Sequence, residues 1–357
     1  VNEADSTLLI FSVSRDSVFF SRESIDSDFL KAIDLYKREI KTGSQTAGSS
    51  TGLEKYLIEP LATWLNTKRK LVIIPSGPLV EVPFEGITCA GRGDRHRLLI
   101  EKFAVSYHLS SQLWYQNKQG DRQNNKTKPE ILAVAPGFVR ESSSMLAYNS
   151  PLRNDGTETA DIFRGSNKLI PLPHSLEEAD TLMKIFSNRE YQVRTLLRDE
   201  ASIRNFNELA PDAEILHIAS HGYTANKNPL QSGLFFAQTS HEKDYENDGF
   251  LSLQEIYLLD IKARLVVLSA CKSGYGIIAP GEGMLALPRG FMYAGVPNII
   301  SSLWKVNDEK TMELMSLFYH HYQDGNNYAE ALQKAKLELI KKGELPMDWA
   351  GLILLGE

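Results

Sequence analysis

The chain is poor in cysteine, with only Cys89 and Cys271 among 357 residues. Two thiols exclude a disulfide framework of the kind that holds small secreted domains, and isolated thiols suit a reducing, cytoplasmic setting. Long apolar runs are also missing. No stretch reaches 18 consecutive apolar residues, so no membrane span is expected. Basic charge is not in excess: Lys plus Arg is 39 against 45 Asp plus Glu, a net charge of -6. A general basic surface for nucleic acid is therefore not expected. The opening lacks the basic-then-apolar pattern of a leader, and the start at Val1 reads as a fragment or processed form of a longer protein. No internal repeat recurs at a period of 20 to 50 residues. What remains is an ordinary globular composition, 42% apolar and 24% charged, enough for one large domain or two small ones.

Strand-like and helix-like runs alternate along the chain. Leu8 to Val13 and Ser17 to Ser21 read as paired strands, and Asp28 to Ile40 as a helix. Lys41 to Gly52, rich in Gly, Ser and Thr, reads as a loop before a helix over Leu53 to Leu65. Leu71 to Pro75 and Phe103 to Ser110 are strand candidates. The hydrophilic stretch Asn117 to Lys128 suggests a division into residues 1–125 and 126–357. Beyond it come strands at Ile131 to Ala135, Tyr191 to Leu197, Glu214 to Ser220, Arg264 to Ala270 and Asn298 to Leu303. Helices are expected from a cap at Ser175, over Ala201 to Leu209, around Gly290, and over Asp308 to Tyr322 and Tyr328 to Lys341. This rhythm predicts an α/β fold with a mostly parallel central sheet flanked by helices. Arg140 to Lys168 is a long polar insertion.

In such sheets ligands collect beyond the carboxyl ends of the strands. Two strands end there in reactive residues: Ile215 to Ile218 runs into Ala219-Ser220-His221-Gly222, and Leu265 to Leu268 into Ser269-Ala270-Cys271-Lys272-Ser273-Gly274. A thiolate attacks a carbonyl carbon, and an imidazole takes the thiol proton and returns it to the leaving amine. The backbone N–H groups of Gly222 and Cys271 are the candidate oxyanion donors. In isolation Cys271 also fits a buried small apolar residue. The interval of 50 residues from His221 to Cys271 matches the spacing of about 50 found in caspases.

These residues resemble the CHAT family, caspase-like cysteine peptidases related to separase and often fused to tetratricopeptide repeats. The resemblance is carried by His221-Gly222, by Leu268 to Gly274, by Gly281-Glu282-Gly283-Met284-Leu285-Ala286-Leu287-Pro288-Arg289-Gly290-Phe291, by Ala294-Gly295-Val296, by Ser301 to Asp308, and by Trp349 to Gly356. Weaker matches lie at Ile73 to Leu79 and at Val82-Pro83-Phe84-Glu85. Ser273 stands where the family usually has Thr. The resemblance implies a caspase-like fold, preceded by a degenerate pseudo-protease subdomain in the weakly matching half. It implies a Cys271–His221 endopeptidase working through a thioester acyl-enzyme, without cofactor or metal. It also implies a protein substrate and gating by an upstream repeat region with an activating partner. Separase prefers Arg before the cut and uses an acidic residue to hold it. By that likeness Asp308, with Ser269, Trp304 and Glu282, is the candidate substrate pocket, favouring Arg or Lys. Alternatively, Asp308 caps the helix starting near Glu309, Trp304 is core, and Glu282 caps the following helix.

Other constellations carry less. His217 and His221 are four apart, but on a strand that places them roughly 13 Å apart, too far to share a metal. His217 reads as a sheet or core residue, His320-His321 as surface or packing, and Cys89 as structural. Gly274, Gly276, Gly281 and Gly283 do not form a phosphate-binding pattern. Arg140, Arg153 and Arg164 are candidate self-processing positions. A catalytically silent caspase-like interaction scaffold is the competing function, and a thiol hydrolase or transferase on non-peptide substrates a third.

Overall fold

The structure, a computed structural model, describes residues 7–44, 47–89, 97–119, 129–138, 171–187, 191–223, 229–238, 249–269, 286–304 and 306–357. An N-terminal hairpin pairs β1 (Thr7–Val13) with β2 (Val18–Ser24). Then come β3 (Lys70–Ile73), the small pair β4 (Thr88–Cys89) and β5 (Arg97–Leu98), and β6 (Ala104–Tyr107). The later part holds β7 (Glu130–Ala135), β8 (Gln192–Leu197), β9 (Ile215–Ile218), β10 (Gly222–Tyr223), β11 (Gly233–Phe235), β12 (Phe250–Ser252), β13 (Leu265–Leu268), β14 (Asn298–Ser302) and β15 (Leu352–Leu355).

Eight strands form one sheet in the order β3-β6-β15-β14-β13-β9-β7-β8. Its neighbours are parallel except at β14 against β15. The C-terminal strand β15 thus runs with β3 and β6, opposite to the five strands beyond it. Both sides of residue 125 contribute to this sheet.

Alternate residues of the strands enter different cores. Ile131, Ala133, Ile215, Leu265 and Val267 face the helices Pro173–Phe186, Asp308–Gln323 and Tyr328–Lys341. Leu132, Val134, Leu216, Ile218, Val266 and Leu268 face the helices Ile203–Leu209 and Ala286–Tyr293. With both faces covered, the central strands are apolar throughout, which is why they are visible in the sequence. The expected α/β sheet flanked by helices is the fold observed. Gly290 is a packing requirement in it, since a Cβ there would stand 2.4 Å from Leu253 Cδ1.

Three local expectations are corrected. The segment read as a loop over Lys41 to Gly52 turns helical at Ala47, beginning the helix Ala47–Leu57. Tertiary contact overrides its small-polar composition: the Ser50 hydroxyl, buried, accepts from the Thr88 backbone N–H at 2.7 Å. The single helix expected over Leu53 to Leu65 is interrupted by a 3-10 turn at Glu59–Leu61, because Pro60 has no N–H to continue the ladder. Ser175 is not a cap. The helix begins at Pro173 after Leu172, and the Ser175 hydroxyl donates back to the Leu172 carbonyl at 2.7 Å.

Candidate active site

The chain runs from β7 to the sheet edge at β8 and returns to β9 on the other side of β7. That reversal opens a crevice at the carboxyl ends of β7 and β9, the usual place for a ligand in such sheets. Each strand delivers an aromatic ring there three residues past its end. Phe138 and His221 lie with ring centroids 5.1 Å apart and planes inclined by 37°. Phe138 holds a φ of 50°, which a bulky side chain rarely adopts. Its N–H donates to the Pro136 carbonyl at 2.8 Å, and the Leu172 N–H donates to the Gly137 carbonyl at 2.8 Å. This folded-back turn sets one ring against the other.

The backbone of His221 is anchored separately. Its carbonyl accepts from the Phe235 N–H at 2.9 Å, the Ser220 hydroxyl donates to the Phe235 carbonyl, and Gly222 pairs with Leu234 across β10 and β11. His221 and Gly222 are half-buried at the rim, open enough for a reactant to approach.

On the opposite side β9 pairs with β13 in register, with Ile218 beside Leu268. The Ser269 N–H donates to the Ile218 carbonyl at 3.0 Å. Cys271 lies outside the described residues, as do Glu282 and the self-processing candidates Arg140, Arg153 and Arg164.

Under the crevice floor lies a polar layer. His217, in the middle of β9, is fully buried, in keeping with the sheet role expected of it. Its Nδ1 is 3.0 Å from the Tyr319 hydroxyl. Its Nε2 is 3.0 Å from Glu178 Oε1, but off the line a ring hydrogen bond needs, so neither atom has a hydrogen-bond partner among the described residues. Glu178 is only 3% exposed, and its Oε2 accepts the Ser269 hydroxyl at 2.9 Å. Sequence reasoning missed Glu178. A signal existed, because it falls three residues after Ser175 and four before Leu182 on the buried stripe of its helix.

Asp308 opens the helix Asp308–Gln323 but does not cap it. Asn307 does, accepting from the Lys310 N–H at 3.2 Å. Asp308 is left half-buried, facing the His174 backbone N–H, and its Oδ2 is enclosed without a hydrogen-bond partner. Burial, then the nearby Glu178 carboxylate, push its carboxyl above the ordinary value of 3.8, opposed by His174. A raised carboxyl holds its proton in the folded chain where the unfolded chain has released it. Stability therefore falls as pH rises from 3.8 through the raised value, and ionised Asp308 opposes folding at neutral pH. Asp308→Asn is expected to raise the thermal midpoint at pH 7, with the gain shrinking as the pH is lowered. Thermal denaturation across pH checks this, and a lowered midpoint at pH 7 would contradict it.

Trp304 is buried in the main core. Its indole N–H donates to the Met347 carbonyl at 3.2 Å, and a Cβ on Gly351 would stand 2.7 Å from its ring. Cys89 is buried too, and burial pushes its thiol above the ordinary range. His320 is exposed, and His321 Nε2 lies 2.6 Å from Glu338 Oε1. Among the described residues no group of three or more His, Cys, Asp or Glu side chains is placed to hold a metal ion. No described helix is long and apolar enough to cross a membrane.

This arrangement is the caspase-like α/β fold. Its solved neighbours include separase in complex with securin from Saccharomyces cerevisiae, with a TM-score of 0.50 and 11% identity over 86% of this chain and 17% of that one. The Arg-specific cysteine proteinase gingipain R gives a TM-score of 0.48 and 8% identity, covering 91% of this chain and 73% of that one. Within that class the chain belongs to the CHAT domain family, which matches residues 48–357. Tetratricopeptide repeat protein 28 from Homo sapiens is 23% identical over 324 residues, 78% of this chain but 13% of the relative's own length.

Proposed function

We propose that the chain is a cysteine endopeptidase with His221 and Cys271 as its dyad. One observation supports this above the rest. Ile218 and Leu268 are cross-strand partners on parallel strands, and His221 and Cys271 each follow by three residues. Parallel neighbours lie about 4.8 Å apart, so the two strand ends that precede these residues lie side by side at one edge of the sheet. His221 takes the thiol proton, and Sγ adds to the scissile carbonyl carbon. The tetrahedral oxyanion is held by the N–H groups of Gly222 and Cys271. The C–N bond breaks as His221 protonates the leaving amine, giving a thioester. Water, deprotonated by His221, then hydrolyses the thioester to a carboxylic acid and the free thiol.

The substrate class is a protein segment extended across the sheet edge. Asp308 stands in the pocket for the residue before the cut and favours Arg or Lys. Its release from capping duty supports this, as does its enclosed Oδ2. Ser269 lines the same wall and Glu282 follows the nucleophile, whereas Trp304 serves the core. The likeness to a tetratricopeptide repeat protein supports an accompanying repeat region; its upstream position, an activating partner and a cytoplasmic setting belong to the same proposal. No cofactor or metal enters the reaction proposed.

The test uses peptidyl acyloxymethyl ketones with Arg, Asp or Leu at P1. A Cys271 adduct located by mass spectrometry, fastest with Arg, is expected. No adduct with any probe, in this chain or in a longer form with its repeats, would favour the silent interaction scaffold instead.

A further inference from the structure

The two least exposed carboxylates among the described residues are treated differently. Glu85, 2% exposed, is neutralised by Lys336 at 2.9 Å. Glu178, 3% exposed, has no lysine or arginine within ion-pair distance among the described residues. Its neighbours are the Ser269 hydroxyl and the misaligned His217 ring. A buried carboxylate without a cation is costly, and a second carboxylate beside it raises the cost. That second carboxylate is Asp308, whose carboxyl burial and then the Glu178 charge push above its ordinary value. Glu178 Oε1 and Asp308 Oδ2 are both enclosed acceptors without a hydrogen bond among the described residues. They come from two helices that pack on each other, and Glu178 reaches Ser269, the residue after β13 and two before Cys271.

Resting on the peptidase reading, we propose that Glu178 is a second specificity residue of the P1 pocket, forming with Asp308 a two-carboxylate cradle that selects arginine over lysine. The chemistry discriminates because a guanidinium presents donors along two edges, whereas an ammonium is a compact point charge. Asp308 takes the outer edge of the fork. Glu178 sits at the floor and acts directly and through Ser269, whose hydroxyl hydrogen it holds, leaving the oxygen lone pairs for the guanidinium N–H groups. The arriving cation supplies a neutralisation that no described lysine or arginine gives Glu178. Among the described residues no third ligating side chain stands at this point, which suits an organic cation.

Two measurements test this, one dependent on the thiol and one not. The first compares labelling rates of Cys271 by probes with Arg, Lys or the uncharged isostere citrulline at P1. Glu178→Gln keeps an acceptor for Ser269 and removes the charge. It is expected to lower the Arg-to-citrulline rate ratio by about tenfold or more, and to reduce the preference for Arg over Lys. A purely structural role would slow all three probes alike, and an unchanged ratio overturns the proposal. The second measures thermal stabilisation of Cys271→Ser protein by agmatine, which carries a guanidinium and no peptide. Stabilisation by agmatine exceeding that by 1,5-diaminopentane, and weakened about tenfold in apparent affinity by Glu178→Gln, is expected. No stabilisation by agmatine, or a response to calcium alone, overturns the cradle. If no probe labels Cys271 while agmatine binds through Glu178, the peptidase reading fails and the guanidinium site stands.

Discussion

His221→Ala is expected to lower the rate at which a peptidyl acyloxymethyl ketone alkylates Cys271 by about 10²- to 10⁴-fold, the usual worth of a positioned acid–base group. The effect is large because His221 takes the thiol proton and holds the thiolate as an ion pair. An unassisted thiol ionises at about 8.5, so only a small fraction is thiolate at neutral pH, while the probe's leaving carboxylate needs no proton. The pH profile separates this role from damage to the fold. With His221 present, labelling is expected to persist well below pH 8; without it, the rate should climb with the free thiol. The ring's surroundings support a functional rather than a structural histidine. Its backbone is tied down by β11, while its imidazole stands half-open against Phe138. His217, four residues earlier, is the contrast: fully buried between Tyr319 and Glu178. Labelling of His221→Ala at the parental rate, with the parental pH dependence, would exclude the dyad.

How much of this was legible in the sequence depends on which force decides each feature. β9 and β13 were legible because strands covered on both faces must be apolar at every position, and the change to polar residues marks their ends. The helix Tyr328–Lys341 was legible to the residue, since Asn327 caps it, accepting from the Glu330 N–H at 2.9 Å, and its apolar spacing is regular. The pair Asn307-Asp308 was not. Both residues cap helices well, and only packing decides that Asn307 does so, leaving Asp308 without that duty. Glu178 was hidden for a related reason. A single charged residue on a buried stripe reads as noise until its partners are known, and its partner Ser269 lies 91 residues away. The reversal of β15 against β14 was likewise unreadable. Strand direction is set by the path of the connection, and Leu352–Leu355 has the same composition whichever way it runs.

The reversed strands make the earlier half of the chain part of the later one, and the joint has a testable centre. Lys336, 1% exposed on the helix Tyr328–Lys341, reaches back to Glu85 at 2.9 Å. The Tyr107 hydroxyl donates to the other Glu85 oxygen and accepts from the Phe84 N–H at 2.8 Å. The Tyr36 hydroxyl donates to the Pro83 carbonyl at 2.8 Å. Burial, then the Glu85 charge, hold both phenols well above their ordinary range, so they remain protonated donors. The Val82-Pro83-Phe84-Glu85 segment is thus constrained by what its carbonyl and carboxylate must receive. Lys336→Met is expected to destabilise the fold by about 3–5 kcal/mol, because it strands the Glu85 charge in the core. Lys336→Met with Glu85→Leu is expected to recover most of that loss, since two apolar groups of similar volume leave no charge to solvate. Urea denaturation of the two single variants and the double variant gives the coupling. A loss below about 1 kcal/mol for Lys336→Met would mean that water or a neighbour compensates Glu85, and that the pair does not hold the halves together. A large loss with rescue in the double variant would make the two halves one cooperative unit. Loosening β6 against β15 should then be felt through β14 and β13 at the proposed nucleophile, and labelling of Cys271 in Lys336→Met should fall in step with the fraction folded.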